Sequence, residues 1–483
     1  MNTQIEVKEY DLFLGGKFVR TNDIREIKNP FNGETIARVS FADRKMYEQA
    51  VGFAHSAFEK TRKLPTYARE KILHNIADYM EEHLEEISLT LACEAAKPIS
   101  QARAETGRCI HTFRVAAEES KRMIGEVIPL DCTEIAKNHT GFTRRFPIGV
   151  VAGITPFNFP LNLASHKVGP AIAAGNPIIL KPSSATPVSA LWIARAAYES
   201  GLPEGGLQVL PADPDNTEPM ISDERVKYIT FTGSASVGWA LKNRSGKKRI
   251  ALELGGNAGV IIDKDANIDY AAERCFPGAF AYAGQICISI QRIFIHNDVY
   301  DRFTEKFVNL VREKGAPGHP LDPGVIMSSM INEKEARRVE AWVEEAEAQG
   351  AVALCRGKRH GSVMEPVVLA NTTPDMKVCS EEIFGPVAIL DRFSNFDEAA
   401  AKVNNSRYGL QAGVFTNSLD NAMKAYEEIE TGAVIINDIP TFRIDHMPYG
   451  GVKDSGLGRE GLKYAIEEMT ETKLMVLNRI EGN

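Results

Sequence analysis

The stretch VKYITFTGSASVGWA, Val226 to Ala240, joins an apolar run to a helical pattern through a turn that contains Gly233. Similar apolar runs recur from Val150 onward, in the segments VVAGIT, PIILK, RIALELGG and AGVIID, with helical segments between them. Strands that are buried on both faces of a parallel sheet have this composition. The sequence therefore predicts an α/β fold built on a doubly wound open sheet.

Three further regions extend this prediction. After about Gly256 the runs QRIFIHN, PVAILDRF, QAGVFTN and GAVIIND indicate a second open sheet. Residues 66–120 carry apolar side chains at helical spacing and predict a helical layer. The tail TETKLMVLNRI predicts a terminal strand, and because such a strand needs a partner sheet, pairing between subunits could supply one.

Bulk composition excludes several classes of function. The chain has 483 residues, which predicts two or three domains, and its net charge of -8 argues against a nucleic-acid partner. The most apolar segment is interrupted by proline and asparagine, so we expect no membrane span and a cytoplasmic protein. The seven cysteines form no CxxC pair, which predicts neither a disulfide framework nor a metal site.

Two segments suggest phosphate or ribose binding, each with a plain alternative. The turn with Gly233, Ser234 and Gly238 opens a helix and suits an anion, but it matches neither a Walker loop nor GxGxxG. It could equally be an ordinary strand-to-helix turn. Lys181 ends an apolar strand, where it could bind ribose or phosphate, or simply reach solvent.

Three polar side chains sit in apolar surroundings and are candidates for catalysis. Glu253 ends an apolar strand before Gly-Gly, where its carboxylate either meets a fixed donor or is desolvated, and desolvation would raise its pKa toward that of a general base. Asn158 could stabilise an oxyanion or brace a turn. Cys287 could be a nucleophile or a small buried hydrophobe.

Seven motifs decide between these alternatives. TPFNFP, KPSS, FTGSASVG, ELGG, GQIC, EEIFGP and MPYGGVKDSGLGREG occur in the order and approximate spacing of the aldehyde dehydrogenase superfamily, which the chain resembles from about residue 10 to its end. The resemblance implies two doubly wound open-sheet domains and a small β oligomerisation element. It implies an NAD(P)-binding Rossmann-like domain at 1–124 and 148–255, a catalytic domain at 256–452, and an oligomerisation element at 125–147 and 469–483. A homodimer or homotetramer is expected.

The resemblance also implies catalytic roles. Cys287 matches the nucleophile that forms a thiohemiacetal and then a thioester, while Asn158 and the backbone N–H of Cys287 would bind the oxyanion. Glu253 matches the base that hydrolyses the thioester, and Lys181 completes the catalytic set. Because CoA-acylating relatives generally lack this glutamate, we expect a free acid. A CoA-acylating semialdehyde dehydrogenase and a catalytically silent structural relative remain the alternatives.

The expected cofactor is NADP or NAD. Ser184 stands where NAD-preferring members commonly have glutamate, so the negative charge that would repel a 2'-phosphate is missing and NADP becomes plausible. The residues that match the cofactor site are Thr155, Pro156, Phe157, Lys181, Ser183, Ser184, Gly233, Ser234, Gly238, Leu254, Glu382 and Phe384.

The substrate is expected to be a small polar or anionic aldehyde. Arg108 and Arg443 match positions on the substrate tunnel, where two guanidinium groups suit a phosphonate, sulfonate or carboxylate, unless they pair with Glu105 or Asp445. Phe159, Ile286 and Ile288 would complete the pocket. The stretch from Phe442 to Gly456 is also similar to lactaldehyde, phosphonoacetaldehyde and sulfolactaldehyde dehydrogenases, and a succinate-semialdehyde type of substrate fits the same charge.

Overall fold

The computed structural model describes residues 7–480 of the chain. Its helices are α1 (Arg44–Thr61), α2 (Thr66–Glu82), α3 (Leu84–Glu94), α4 (Ile99–Ser120), α5 (Asn162–Ala174), α6 (Val188–Glu199), α7 (Glu218–Ser222), α8 (Ala235–Arg244), α9 (Ile268–Phe280), α10 (Tyr300–Lys314), α11 (Glu333–Ala348), α12 (Lys377–Ser380), α13 (Phe396–Asn404), α14 (Leu419–Glu428) and α15 (Leu462–Glu468).

The strands are β1 (Lys8–Tyr10), β2 (Leu12–Leu14), β3 (Lys17–Val19), β4 (Ile24–Lys28), β5 (Thr35–Ser40), β6 (Val127–Pro129), β7 (His139–Pro147), β8 (Val150–Ile154), β9 (Ile178–Lys181), β10 (Leu207–Val209), β11 (Val226–Thr232), β12 (Arg249–Glu253), β13 (Ala258–Ile262), β14 (Ile290–His296), β15 (Val352–Arg356), β16 (Arg359–His360), β17 (Val363–Met364), β18 (Val367–Ala370), β19 (Val387–Phe393), β20 (Tyr408–Gly409), β21 (Gln411–Phe415), β22 (Ala433–Ile436), β23 (Val452–Lys453), β24 (Gly456–Leu457) and β25 (Thr470–Asn478).

The first large sheet has the strand order β24-β12-β11-β8-β9-β10-β2-β3. Its five central strands are parallel, and β24 and β2 pair antiparallel at the two sides. The chain runs from β8 toward β10 and then returns to β11 on the other side of β8. Ligands of open α/β sheets bind at such a switch point, beyond the carboxyl ends of the strands. Asn158 and Gly233 both follow strands that end at this crevice.

The second large sheet has the order β15-β18-β19-β14-β13-β21-β22 and is parallel except for β15. Helices α9, α10 and α11 contribute to the core on one face, and α13 and α14 to the core on the other. Both predicted open sheets, and hence the predicted α/β fold, are confirmed. The apolar runs are strands because nearly every side chain in them is buried, on both faces of the sheet.

The predicted terminal strand has a partner within its own chain. Strand β25 pairs antiparallel with β7 along its whole length, and β6 completes this third sheet, so the partner strand comes from the same chain and β25 lies at one edge of the sheet. The predicted helical layer is also interrupted, since α2 ends at Glu82 and α3 ends before the segment 95–98. The predicted domain division stays a prediction, and residues 1–6 and 481–483 of its spans lie outside the described residues.

In the described part of the chain, none of the helices combines the length and the apolar character needed to cross a membrane.

Candidate active site

Cys287 lies at the junction of the two large sheets. It follows a 3-10 turn, Ala281–Gly284, in which Tyr282 and Ala283 have left-handed φ angles of 52° and 53°. A Cβ at Gly256, in the ELGG motif, would collide with the carbonyl oxygen of Cys287. The Gly-Gly step therefore lets the turn that contains Cys287 pack directly on the end of strand β12.

The sulfur of Cys287 is partly exposed and faces a cavity of about 510 Å³. Burial raises the pKa of Cys287 to about 11, while a contact of 3.0 Å between its Sγ and the hydroxyl of Tyr449 lowers this pKa. At neutral pH the resting side chain is therefore mainly a thiol. The local sequence around GQIC gave no signal of this contact, since Tyr449 lies 162 residues further along the chain.

Glu253 is the last residue of β12, and its carboxyl group lines the same cavity. The residue is 3% exposed, and neither carboxyl oxygen has a hydrogen-bond partner in residues 7–480. Burial, and then the neighbouring Glu460, raise the pKa of Glu253 well above its ordinary value. An unpartnered carboxyl group with a raised pKa binds a proton more readily than an ordinary glutamate does, as a general base must.

Asn158 is buried beside Cys287. Its Nδ2 donates to the carbonyl oxygen of Gln285 at 3.0 Å, and its own carbonyl oxygen accepts from Nζ of Lys97 at 2.5 Å. Lys97 also forms an ion pair with Glu105, and both side chains are fully buried. This pair holds the Asn158 backbone in place. Lys97 was not predicted from the sequence to support Asn158. Glu105 was predicted as a partner for an arginine, whereas its partner in the structure is Lys97.

The predicted cofactor residues fall into two groups. Those that line the cavity are Pro156, Phe157, Gly233, Ser234, Leu254, Glu382 and Phe384. The cavity lining does not include Thr155, Lys181, Ser183, Ser184 and Gly238. Both glycines of the predicted cofactor site have a packing role. A Cβ at Gly238 would collide with Leu254, and a Cβ at Gly233 would lie 2.6 Å from the Phe231 ring.

Several polar atoms in this region have bonding capacity left for a nucleotide. The hydroxyl of Thr155 is buried without a partner in the described chain. Burial lowers the pKa of Lys181 to about 8, and its Nζ donates to the carbonyl oxygen of Pro182 at 3.2 Å. Burial raises the pKa of Glu382 to about 7, and its Oε1 accepts from the Gly256 N–H. The hydroxyl of Ser184 donates to the carbonyl oxygen of Ala212. These groups fit a ligand that carries ribose hydroxyls and phosphates.

The predicted substrate residues Phe159, Ile286 and Ile288 all line the cavity, together with Arg108 and Arg443. Arg108 donates to Asp445 through Nε at 3.1 Å and through Nη2 at 2.7 Å. Pairing with Asp445 was the alternative left open by the sequence, and it is confirmed for Arg108.

Asp445 is the centre of a buried cluster. Asn162 Nδ2 and His166 Nε2 also approach its Oδ1, at 3.1 and 2.8 Å. Although burial opposes ionisation, the hydrogen bonds from His166 and Arg108 hold the pKa of Asp445 well below its ordinary value. Burial in turn lowers the pKa of His166. The cluster thus contains an ionised aspartate, an arginine and a neutral histidine.

Arg443 belongs to a second buried cluster. Its Nη2 donates to Glu460 at 3.0 Å, its guanidinium lies 3.7 Å from the centre of the Tyr449 ring, and Lys167 bonds the other oxygen of Glu460 at 3.2 Å. The pKa of Glu460 is lowered to about 2, because Lys167 and Arg443 outweigh the effect of burial. The Nε of Arg443 is buried and unpartnered within residues 7–480.

A group that resembles a metal site lies elsewhere, at the surface. Glu70, His74 and Glu118 lie close together, but Nζ of Lys121 bonds Glu70 at 2.7 Å and Glu118 at 3.1 Å. A lysine cation therefore already balances these carboxylates.

Comparison with known proteins gives a consistent result. The model of the aldehyde dehydrogenase family matches residues 18–475. A 3-sulfolactaldehyde dehydrogenase from Priestia aryabhattai is 43% identical over 479 residues, which cover 99% of this chain and 100% of the relative. Aldehyde dehydrogenase 21 from Physcomitrella patens, in complex with the reaction product succinate, has a TM-score of 0.97 at 41% identity and covers 99% of this chain and 100% of its own.

A glyceraldehyde-3-phosphate dehydrogenase from Methanocaldococcus jannaschii, complexed with NADP, has a TM-score of 0.90 at 39% identity and covers 95% of this chain and 100% of its own. The ordered motifs, the two open sheets and the cavity that contains Cys287 and Glu253 agree with these matches. The chain belongs to the aldehyde dehydrogenase family.

Proposed function

We propose that this protein oxidises a small anionic aldehyde to the free carboxylic acid with NADP or NAD. One observation carries the proposal: Cys287, the unpartnered Glu253 and two arginines line a single cavity of about 510 Å³. A cavity of this size suits one small substrate and the reactive end of a cofactor.

The first step is attack by Cys287. Because burial raises its pKa to about 11, the thiol must lose its proton, which passes to solvent water, as the attack proceeds. The sulfur then adds to the aldehyde carbon, and the carbonyl oxygen becomes an oxyanion. Asn158 Nδ2 has one hydrogen on the Gln285 carbonyl and a second for this oxyanion, alongside the Cys287 backbone N–H.

The cofactor would lie against Phe157, Glu382 and Phe384, with its phosphates toward Gly233 and Ser234. When bound, its nicotinamide supplies the chemistry of a hydride acceptor. The rings of Phe157 and Phe384 stand edge to face with centres 5.9 Å apart and form an apolar edge that excludes water. Lys181, Ser183, Ser184 and Thr155 would serve the adenosine end.

Hydrolysis of the thioester needs Glu253. Its carboxylate takes a proton from water, hydroxide adds to the thioester carbon, and the Cys287 thiolate leaves. This base distinguishes the proposal from a CoA-acylating enzyme, and comparing products with and without CoA tests the difference.

The charges around the substrate favour an anionic tail. The cations Arg108, Arg443 and Lys167 face two ionised carboxylates, Asp445 and Glu460, which leaves one excess positive charge while Glu253 is protonated. The unpartnered Nε of Arg443 offers a further donor. Two similar proteins carry a name or a ligand with an anionic group, 3-sulfolactaldehyde and succinate.

A neutral hydroxyaldehyde of the lactaldehyde type is the second candidate, because both arginines already have acidic partners. A kinetic screen tests the choice, using anionic and neutral two- to four-carbon aldehydes with each cofactor. We expect kcat/KM to be higher for the anionic member of each matched pair. Equal or lower values would favour the neutral substrate.

A further inference from the structure

We propose that Tyr449 is a catalytic residue, whose hydroxyl donates a hydrogen bond to the Cys287 sulfur when this atom carries negative charge. The inference rests on the proposed role of Cys287 as the nucleophile. Its basis is the distance of 3.0 Å between the two atoms, inside the cavity where the reaction is proposed to take place.

Tyr449 is held firmly in this position. Its backbone N–H donates to the Glu460 carbonyl oxygen at 3.0 Å, and its carbonyl oxygen accepts from the Glu460 N–H at 2.6 Å. The residue is 3% exposed and packs against Ile288 and Leu410, while the Arg443 guanidinium covers its ring. Because these contacts fix the ring from several sides, the hydroxyl stays directed at the sulfur.

The polar and charged groups around the sulfur either favour or oppose its negative charge. Tyr449 and Arg443 favour a thiolate, whereas Glu382 and Glu253 oppose it. Of these four, Tyr449 is the one in hydrogen-bond contact with Sγ among the described residues. Burial raises the pKa of Tyr449 itself, so the phenol keeps its proton and remains a donor. A bond to an anion is stronger than the same bond to a neutral thiol.

The hydroxyl would act at both ends of the reaction. During attack, the sulfur electron pair forms the C–S bond and the carbonyl π electrons move to oxygen, so the thiolate must be available. During hydrolysis, the C–S bond breaks and its electron pair returns to sulfur. The phenol stabilises this leaving thiolate and keeps its own proton throughout.

The test is the variant Tyr449→Phe, which keeps the ring and its contact with Arg443. The rate of Cys287 alkylation by iodoacetamide, measured across about pH 7 to 9, reports the thiolate fraction. Mass spectrometry of the modified peptide is needed, because Cys132 and Cys355 are also accessible. We expect alkylation to slow by about tenfold at each pH, with a similar loss of kcat/KM.

Tyr408→Phe is the matched control, since it removes a phenol hydroxyl from a residue that does not line the cavity. Its alkylation rate should equal that of the wild type. Incorporation of difluorotyrosine at position 449 gives a stronger donor, and alkylation should accelerate.

Unchanged alkylation in Tyr449→Phe, with Cys287→Ser inactive, would overturn the role of Tyr449 alone. Retained turnover in Cys287→Ser would instead overturn the proposed function.

Discussion

Asp445 accepts four hydrogen bonds from Arg108, Asn162 and His166, whereas Glu253, which lines the cavity together with Arg108, accepts none within residues 7–480. We call the cluster of Arg108, Asp445, Arg443 and Glu460 the paired wall, and Cys287 with Glu253 the reaction floor. Both carboxylates are buried, yet the pKa of Asp445 is lowered and that of Glu253 is raised.

The difference shows that the site uses two kinds of carboxylate, one that holds a cavity-lining arginine and one that lines the cavity itself. Donors around Asp445 fix its charge, so it can hold an arginine in one orientation. Because no donor among the described residues bonds to Glu253, its carboxyl group can be protonated or ionised, and it can therefore accept and release a proton. Fixed charge suits substrate recognition, and variable charge suits chemistry.

The largest effect should follow from Cys287→Ser, which removes the nucleophile from the reaction floor. An alcohol has no accessible anion at neutral pH, so kcat should fall by about a thousandfold or more, equivalent to about 4 kcal/mol. Steady-state cofactor reduction measures it, and cofactor binding by fluorescence should be retained. Cys132→Ser, at an exposed site, should keep full activity, and turnover near wild-type level by Cys287→Ser would exclude the nucleophile assignment.

In the paired wall, Asp445→Asn should mainly reduce stability. It leaves the buried His166 and the half-buried Arg108 without their anion, at a cost of about 3 kcal/mol in the free energy of unfolding. Because the pKa of Asp445 is lowered in the folded state, this stability is present above about pH 4 and is lost as the pH falls.

Thermal melting of the wild type and the variant between about pH 3 and 8 measures this contribution, and the difference between them should narrow below about pH 4. Asp23→Asn, which breaks a surface ion pair whose aspartate is 51% exposed, should cost under about 1 kcal/mol. If the two variants melt alike, the paired wall is not a fixed-charge structure.

Glu253→Gln should separate chemistry from stability. Acylation should persist while thioester hydrolysis slows by about a hundredfold, which gives a burst of reduced cofactor before steady state. Because the folded pKa of Glu253 is raised, its ionisation costs stability as the pH rises above about 4.3, so the glutamine variant should melt higher than the wild type at pH 8. Linear progress curves without a burst would remove Glu253 from the mechanism.

The smallest effect is expected for Arg108→Met, which tests what the paired wall recognises. Losing a charged partner should lower kcat/KM for an anionic aldehyde by about thirtyfold, the lower end of the range for buried charge pairs, and leave propanal unaffected. Arg103→Met, on the same helix but in an exposed pair with Glu85, is the control. An equal loss with both substrates would mean that Arg108 is structural and would favour a neutral hydroxyaldehyde.

Much of this fold was predictable, because the strands are local apolar runs and the motifs lie at their ends. Glu253, for example, is conspicuous in sequence as a carboxylate in an apolar strand. The pairing of Arg108 with Asp445 joins residues 337 positions apart, so the sequence could offer it only as one alternative among several. The contact between Cys287 and Tyr449 was missed for the same reason, since the sequence shows an aromatic residue but not where its hydroxyl points.

Gly256 has a practical consequence for anyone who wishes to redirect this protein to another aldehyde. A single added carbon there would meet the main chain of Cys287, which cannot rotate aside as a side chain can. Libraries of random variants should therefore keep Gly256 and vary the side chains that line the cavity. The cavity can be reshaped through the side chains of its walls, but Gly256 cannot be replaced by a residue with a side chain.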